Sequence, residues 1–125
     1  MHIRSTRDVL TDHLRRRATS DIDGDITANY HPDVVILHPD GESHGHEGVR
    51  ELAHRLGRYN GTVECHRLLA SDQVGIVEWS GLSGWSGTMP MEGSESFVVR
   101  DGLIVAQTVH YSSAIALGSP LADAA

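Results

Sequence analysis

Residues 93–111 constrain this chain more than any other stretch. Gly93-Ser94-Glu95-Ser96-Phe97-Val98-Val99-Arg100 and Leu103-Ile104-Val105-Ala106-Gln107-Thr108-Val109-His110-Tyr111 read as two β-strands, with Asp101-Gly102 between them. Asp-Gly joining apolar runs is a strong hairpin signal, because a type I′ turn needs positive φ at both central residues. The same hairpin carries Glu95, His110 and Tyr111 among apolar neighbours. A strand that alternates acid/base side chains with apolar ones can line a pocket.

The 125 residues suit one domain. A chain of this size buries roughly two thirds of its unfolded surface and needs no covalent staple. Its single cysteine, Cys65, excludes an internal disulfide framework and a cysteine-based zinc site. Cys65 itself reads as a small buried apolar residue. The net charge of −7, with nine histidines counted neutral, repels phosphate backbones and argues against nucleic acid as a partner. The basic run Arg15-Arg16-Arg17 reads as a solvated helix face. Residues Met1 to Arg7 hold no apolar signal-peptide core, and no run approaches the ~18 apolar residues of a membrane span. A soluble, cytoplasmic protein with no membrane partner is the resulting expectation.

Ser5 or Thr6 can cap a first helix whose apolar stripe holds Val9, Leu10, Leu14 and Arg17/Ala18. Asp21 can cap a short second helix ending near Tyr30, with His31-Pro32-Asp33 as its stop. Val34 to His38 reads as a strand closed by Pro39, and Asp40 to Gly45 as turn chemistry. A third helix is expected from His46 or Glu47 to Tyr59, with Val49, Leu52, Ala53 and Leu56 at helical spacing and Asn60-Gly61 as its end. Four long strands follow: 62–70, 74–83, 87 or 91 to 100, and 103–111. The core spans about residues 5–113, and residues 114–125 read as a loose tail. Helices followed by an antiparallel sheet make an α+β pattern. His44-Gly45-His46 with Glu51 mimics half of a metal-chelating motif. Glu51 falls on the helix, however, so no metal is expected.

This order of elements, with Tyr30-His31-Pro32-Asp33-Val34-Val35-Ile36-Leu37-His38-Pro39-Asp40-Gly41, then Gly45 to Leu52, then Ser96 to Val105, resembles the SnoaL-like domains of the nuclear transport factor 2-like superfamily. That group includes ketosteroid isomerases, polyketide cyclases, limonene epoxide hydrolases and scytalone dehydratases. The resemblance implies a cone: a curved antiparallel sheet wrapped around the long first helix, with two further helices and an apolar pocket at the open end. It also implies a homodimer through the convex face of the sheet. One such fold hosts many reactions, so function rests on the site.

By that resemblance, His38 stands where ketosteroid isomerases hold their aspartate base, and a histidine there keeps proton-transfer capability near neutrality. Glu95 matches their second acid, and an acid in an apolar cone can stay protonated. Glu95, Phe97 and Val99 share a face that matches the concave one. The same match puts Leu103, Val105, Gln107, Val109 and Tyr111 inside and His110 outside; a one-residue bulge would exchange the two sets. Glu78 and Trp79 cannot both be inside, and Trp79 and Trp85 read as core or pocket wall. No tyrosine stands at Leu14 to Arg17, where steroid isomerases hold their oxyanion donor, which argues against that activity. Gly93 stands where the epoxide hydrolases need arginine. The residues expected to carry chemistry are His38, Glu95, Tyr111 and His110; Gln107, Trp79, Phe97, Val109, Tyr30 and Leu14 are expected to contact a small apolar organic ligand. The expected chemistry is cofactor-free acid/base catalysis of the isomerase, cyclase, dehydratase or hydrolase type. The competing expectation is a non-catalytic ligand-binding or dimerisation module.

Overall fold

The computed structural model describes residues 2–57, 63–83 and 89–113. Its elements are α1 (Thr6–Ala18), α2 (Ile22–Asn29), β1 (Tyr30–His38), β2 (Gly41–His44), α3 (Gly45–Gly57), β3 (Val63–Ala70), β4 (Val74–Ser83), β5 (Met89–Arg100) and β6 (Leu103–Ser113). The six strands form one sheet in the order β2-β1-β6-β5-β4-β3. The sheet is mixed rather than wholly antiparallel, because β1 runs parallel to β6. The helices supply the crossover that such a pair requires.

Local chemistry sets the element boundaries. Ser5 accepts a hydrogen bond from the Asp8 amide at the start of α1, and Asp21 accepts one from the Gly24 amide at the start of α2. Asp101 (φ 52°) and Gly102 (φ 77°) turn β5 into β6 with the two positive angles the sequence called for. Two stretches depart from the sequence expectation. The second helix ends at Asn29, ahead of Pro32 as expected, but β1 starts at Tyr30 rather than at Val34, and its pairing with β6 shifts between Tyr30 and Val35. Pro32, which has no N–H to give a ladder, lies in that irregular stretch. Residues 41–44 form a strand rather than a turn, pairing from Val35–His44 to His38–Gly41. The end of α3 expected at Tyr59, the wall residue Trp85 and the tail from residue 114 lie outside the described residues.

The helices cover one face of the sheet, here called inner. Val9, Leu10, Ile26, Tyr30, Val34, Ile36, Val49, Val77, Phe97, Val99, Ile104 and Val109 form one buried cluster, with Leu14, Trp79 and Tyr111 packed at its margin. α1 approaches β4 so closely that a Cβ on Gly75 would lie 2.2 Å from Leu10 Cδ1. On β6 the expected alternation holds only beyond Val105. Val98 pairs with Ala106 and Val99 with Ile104, so Val105 is a bulge residue. Ile104 is therefore buried, while Leu103 and Val105 are half-buried. After the bulge, Gln107 and Val109 are buried and His110 is exposed. Cys65, expected inside, is exposed on the edge strand β3. Among the described residues, no helix is long and apolar enough to cross a membrane.

Candidate functional site

Row pairing across the sheet brings the inner-face residues together. Gly75, Phe97 and Gln107 lie side by side on β4, β5 and β6, and Gln107 pairs with Ile36 on β1. One row further on come Leu68, Val77, Glu95 and Val109. Trp79, Gly93 and Tyr111 make the next row. Among the described residues of these rows, Glu95 is the one carboxylate, with Gln107 as its polar neighbour.

Glu95 is held by a two-step hydrogen-bond chain. The Tyr30 hydroxyl donates to Gln107 Oε1 at 2.6 Å, and Gln107 Nε2 donates to Glu95 Oε1 at 2.7 Å. Tyr30 is fully buried at the junction of α2 and β1. Burial pushes its hydroxyl far above the usual tyrosine range; the Arg17 charge opposes this, and the charges of Asp25 and Glu95 add to it. The hydroxyl stays protonated, so it is a fixed donor. That fixes the Gln107 amide, and the amide in turn leaves its NH₂ for the carboxylate.

A second polar cluster lies behind this chain, and the sequence reading missed it. His13 Nδ1 meets Asp25 Oδ2 at 2.8 Å, Arg17 Nε donates to the same oxygen at 2.7 Å, and Asn29 Nδ2 donates to Asp25 Oδ1 at 2.8 Å. Burial alone would raise the Asp25 carboxyl, but bonding to His13 and the charges of His13 and Arg17 outweigh it, and its pKa is lowered. The His13 ring stands edge-on to Tyr30 and Phe97, at centroid distances of 5.9 and 5.4 Å. Arg17 therefore does not belong to a solvated face. Burial works against its charge, but the carboxylates of Asp25 and Glu95 outweigh that and its pKa is raised. The helical stripe carried the signal: His13 and Arg17 follow Val9 at i+4 and i+8.

The other expected site residues are placed as follows. His38 lies on the face of Ile36, next to Val109 by continuation of the β1–β6 register. Its Nε2 bonds to Ser43 Oγ at 3.0 Å, so the ring leans toward β2 and away from β6. Two strand spacings, roughly 9–10 Å of backbone, separate it from Glu95. The two do not touch. Trp79 faces inward, while Glu78 faces outward and pairs with Arg67 at 2.9 Å. Tyr111 packs at the core margin, and Leu14 does the same from α1. His110 is on the outer face, in the row of Glu78 and Ser94. With His66, Ser80 and Glu92, and with Trp79, Gly93 and Tyr111 of the neighbouring row, these residues line a shallow open trough of about 640 Å³. The trough reaches the Trp79–Gly93–Tyr111 row at the end of the sheet but stops short of Glu95 and Gln107, neither of which lines it. His44 bonds to Glu42 and His46 to the Tyr30 carbonyl, so the two histidines of the chelating pattern are committed to different partners. Among the described residues no group of three or more metal-ligating side chains gathers.

A six-stranded curved sheet with one helix-covered face defines an α+β class of fold. The profile of the SnoaL-like domain matches residues 10–107, and the chain belongs to that family. No curated protein matches the sequence. Among solved structures it is similar to a nuclear transport factor 2-like protein from Burkholderia xenovorans, with 21% identity, TM-score 0.72, and 85% of this chain and 81% of that one covered. It is also similar to a protein from Sinorhizobium meliloti assigned as a polyketide cyclase, with 16% identity, TM-score 0.70, and coverage of 82% and 94%. TerC, crystallised with polyporic acid, shares 20% identity at a TM-score of 0.67, with 84% and 89% covered.

Proposed function

We propose that this protein binds a small, mostly apolar organic molecule on the inner face of its sheet and performs cofactor-free general acid/base chemistry on it. The reaction is of the isomerase, cyclase, dehydratase or hydrolase type. Glu95 is the proton-handling group. His38, across Val109, is the second, and it must turn from Ser43 to take part. Tyr111 borders the same surface, and His110, facing outward, is set aside. The observation that carries this reading is the Tyr30–Gln107–Glu95 chain, which holds one carboxylate in a fixed orientation among apolar side chains. Preorganisation of that kind is what a site performing proton transfer needs. The likeness to a protein crystallised with polyporic acid supports an organic ligand.

The test is a crystal soak with a panel of small cyclic ketones, lactones and epoxides, followed by turnover assays on every compound that binds. Glu95→Gln should keep the fold and lose about 10²–10⁴-fold in kcat. Binding without turnover, or turnover indifferent to Glu95, would leave the second reading: a ligand-binding or dimerisation module. The exposure of Leu37, Leu69, Val74 and Ile76 on the outer face favours an assembly role of this kind. We place the protein in the cytoplasm as a homodimer, with the outer face as its interface.

A further inference from the structure

The polar atom of the inner face without an account is the indole nitrogen of Trp79. Its Nε1 is buried and has no hydrogen-bond partner among the described residues. Indole nitrogens are donors only, and buried ones normally find an acceptor, because an unmade bond forfeits the hydration the group had in water. The carboxylate one row along accepts from Gln107 at Oε1 and does not reach the indole nitrogen. The placement of the indole is built into the sheet. A Cβ on Gly93 would lie 2.3 Å from Trp79 Cζ2 and 2.7 Å from the His110 carbonyl oxygen, so only glycine leaves room for the ring. Gly93 is also the residue that separates Trp79 from Tyr111 in their row. Glu95 stands two residues further along β5 on the same face, roughly 7 Å away along the strand.

From this juxtaposition we infer that Trp79 Nε1–H is the donor that receives an acceptor oxygen of the ligand, a carbonyl or ether oxygen on a flat apolar skeleton, and holds that skeleton beside the indole on the side of the Glu95 carboxylate. The inference rests on the reading of the inner face as a ligand site and adds what that ligand must carry. A pure hydrocarbon leaves the N–H unpaired and gains only burial. An oxygenated one satisfies it and is aligned by it. Trp79 in this role is a positioning and specificity residue; the proton transfer remains with Glu95.

The matched probes are 1-indanone and indane, which differ in one carbonyl. Each is titrated into ¹⁵N-labelled full-length protein and followed through the two indole cross-peaks, with Trp85→Phe identifying the Trp79 signal. The expected result is a downfield movement of the Trp79 Nε1–H with indanone and not with indane. Indanone should bind about 3–10-fold more tightly, the span of one neutral hydrogen bond. Trp79→Phe should bring the two affinities together. If both compounds bind equally to the unsubstituted protein, or if indanone binds while the Trp79 N–H stays put, the donor assignment is overturned and the ligand site stands. If neither compound binds at millimolar concentration, the ligand-site reading falls and takes this inference with it. Should Trp79→Phe fail to fold, the cross-peak and the affinity ratio in the unsubstituted protein decide the matter without it.

Discussion

At the scale of single residues, the interior of this protein is organised around Asp25. Its carboxylate is fully buried and is met by His13, Arg17 and Asn29. Removing one partner of a buried charge cluster costs far more than the cluster contributes, because the remaining charges lose their compensation. Asp25→Asn leaves the Arg17 guanidinium facing an amide, and a loss of about 3–5 kcal/mol in urea unfolding is expected. The pH dependence follows from the direction of the shift. Asp25 has a lowered pKa in the folded state. The stability it contributes is thus fully present above the unfolded value of about 3.9 and is lost as the pH falls from there through the folded value. Unfolding curves between pH 7 and pH 2.5 should show a steep decline below about pH 4 in the parent and a shallower one in Asp25→Asn. Equal slopes would remove Asp25 from the acid response. Neither His13 nor Asp25 was legible as a pair, because twelve residues and a helix boundary separate them. Only the packing of α1 on α2 brings them together. Glu95 and Gln107 were more accessible to reasoning, since hairpin parity put both on one face. The chain from Gln107 to Tyr30 was not, because Tyr30 read as the end of a helix, four residues before the expected strand, and it is in fact the first residue of β1.

Elements obey the sequence where one periodicity dominates and depart from it where two signals compete. Ser5, Asp21 and Asp101-Gly102 acted as written, since capping and turn formation are settled by neighbouring backbone. Asp40 to Gly45 carries turn-forming residues, yet Gly41 to His44 pairs with β1. Four residues of this composition have little strand preference of their own, and a neighbouring strand with free edge groups supplies the pairing. The bulge at Val105 was foreseeable only as a possibility, because nothing in an apolar run marks which residue is extra. The packing of α1 against β4 gives a sharper test. At Gly75 α1 comes close to β4, and the Leu10 side chain that a methyl group would strike is fully buried. Gly75→Ala should destabilise the protein by about 1–3 kcal/mol, the usual cost of overpacking a filled core. Gly75→Ala combined with Leu10→Ala should recover part of that loss, since the second change removes the clashing atoms. A chemical-denaturation cycle measures both terms, and strict additivity would show that α1 and β4 do not meet there.

At the scale of the whole molecule, the outer face of the sheet is the surface proposed for self-association. Leu69, Ile76, Ser96, Thr108 and Leu37 form one row across β3, β4, β5, β6 and β1, and Val74, Val98, Ala106 and Val35 form the next. Leu37, Leu69, Val74 and Ile76 are 38–49% exposed, although the sheet had polar residues available for such positions. Beyond these rows, toward the Trp79 end, the same face turns polar, with the Arg67–Glu78 pair, Ser94 and His110. An apolar centre with a charged rim on a broad sheet face is the anatomy of a protein–protein contact. Two copies meeting there through a two-fold axis would place the Ile76 of each close to the apolar row of the other. A stable contact needs roughly 800 Å² from each partner, within the reach of a face five strands wide. Sedimentation at micromolar concentration should therefore report a dimer. Ile76→Glu should convert it to a folded monomer, because symmetry brings two uncompensated carboxylates into one desolvated patch. The proposed ligand site is on the opposite face, so the monomer should keep its ligand affinity within a few fold. A parent protein that sediments as a monomer would exclude this surface as a self-interface. An unchanged dimer in Ile76→Glu would move the contact elsewhere on the molecule.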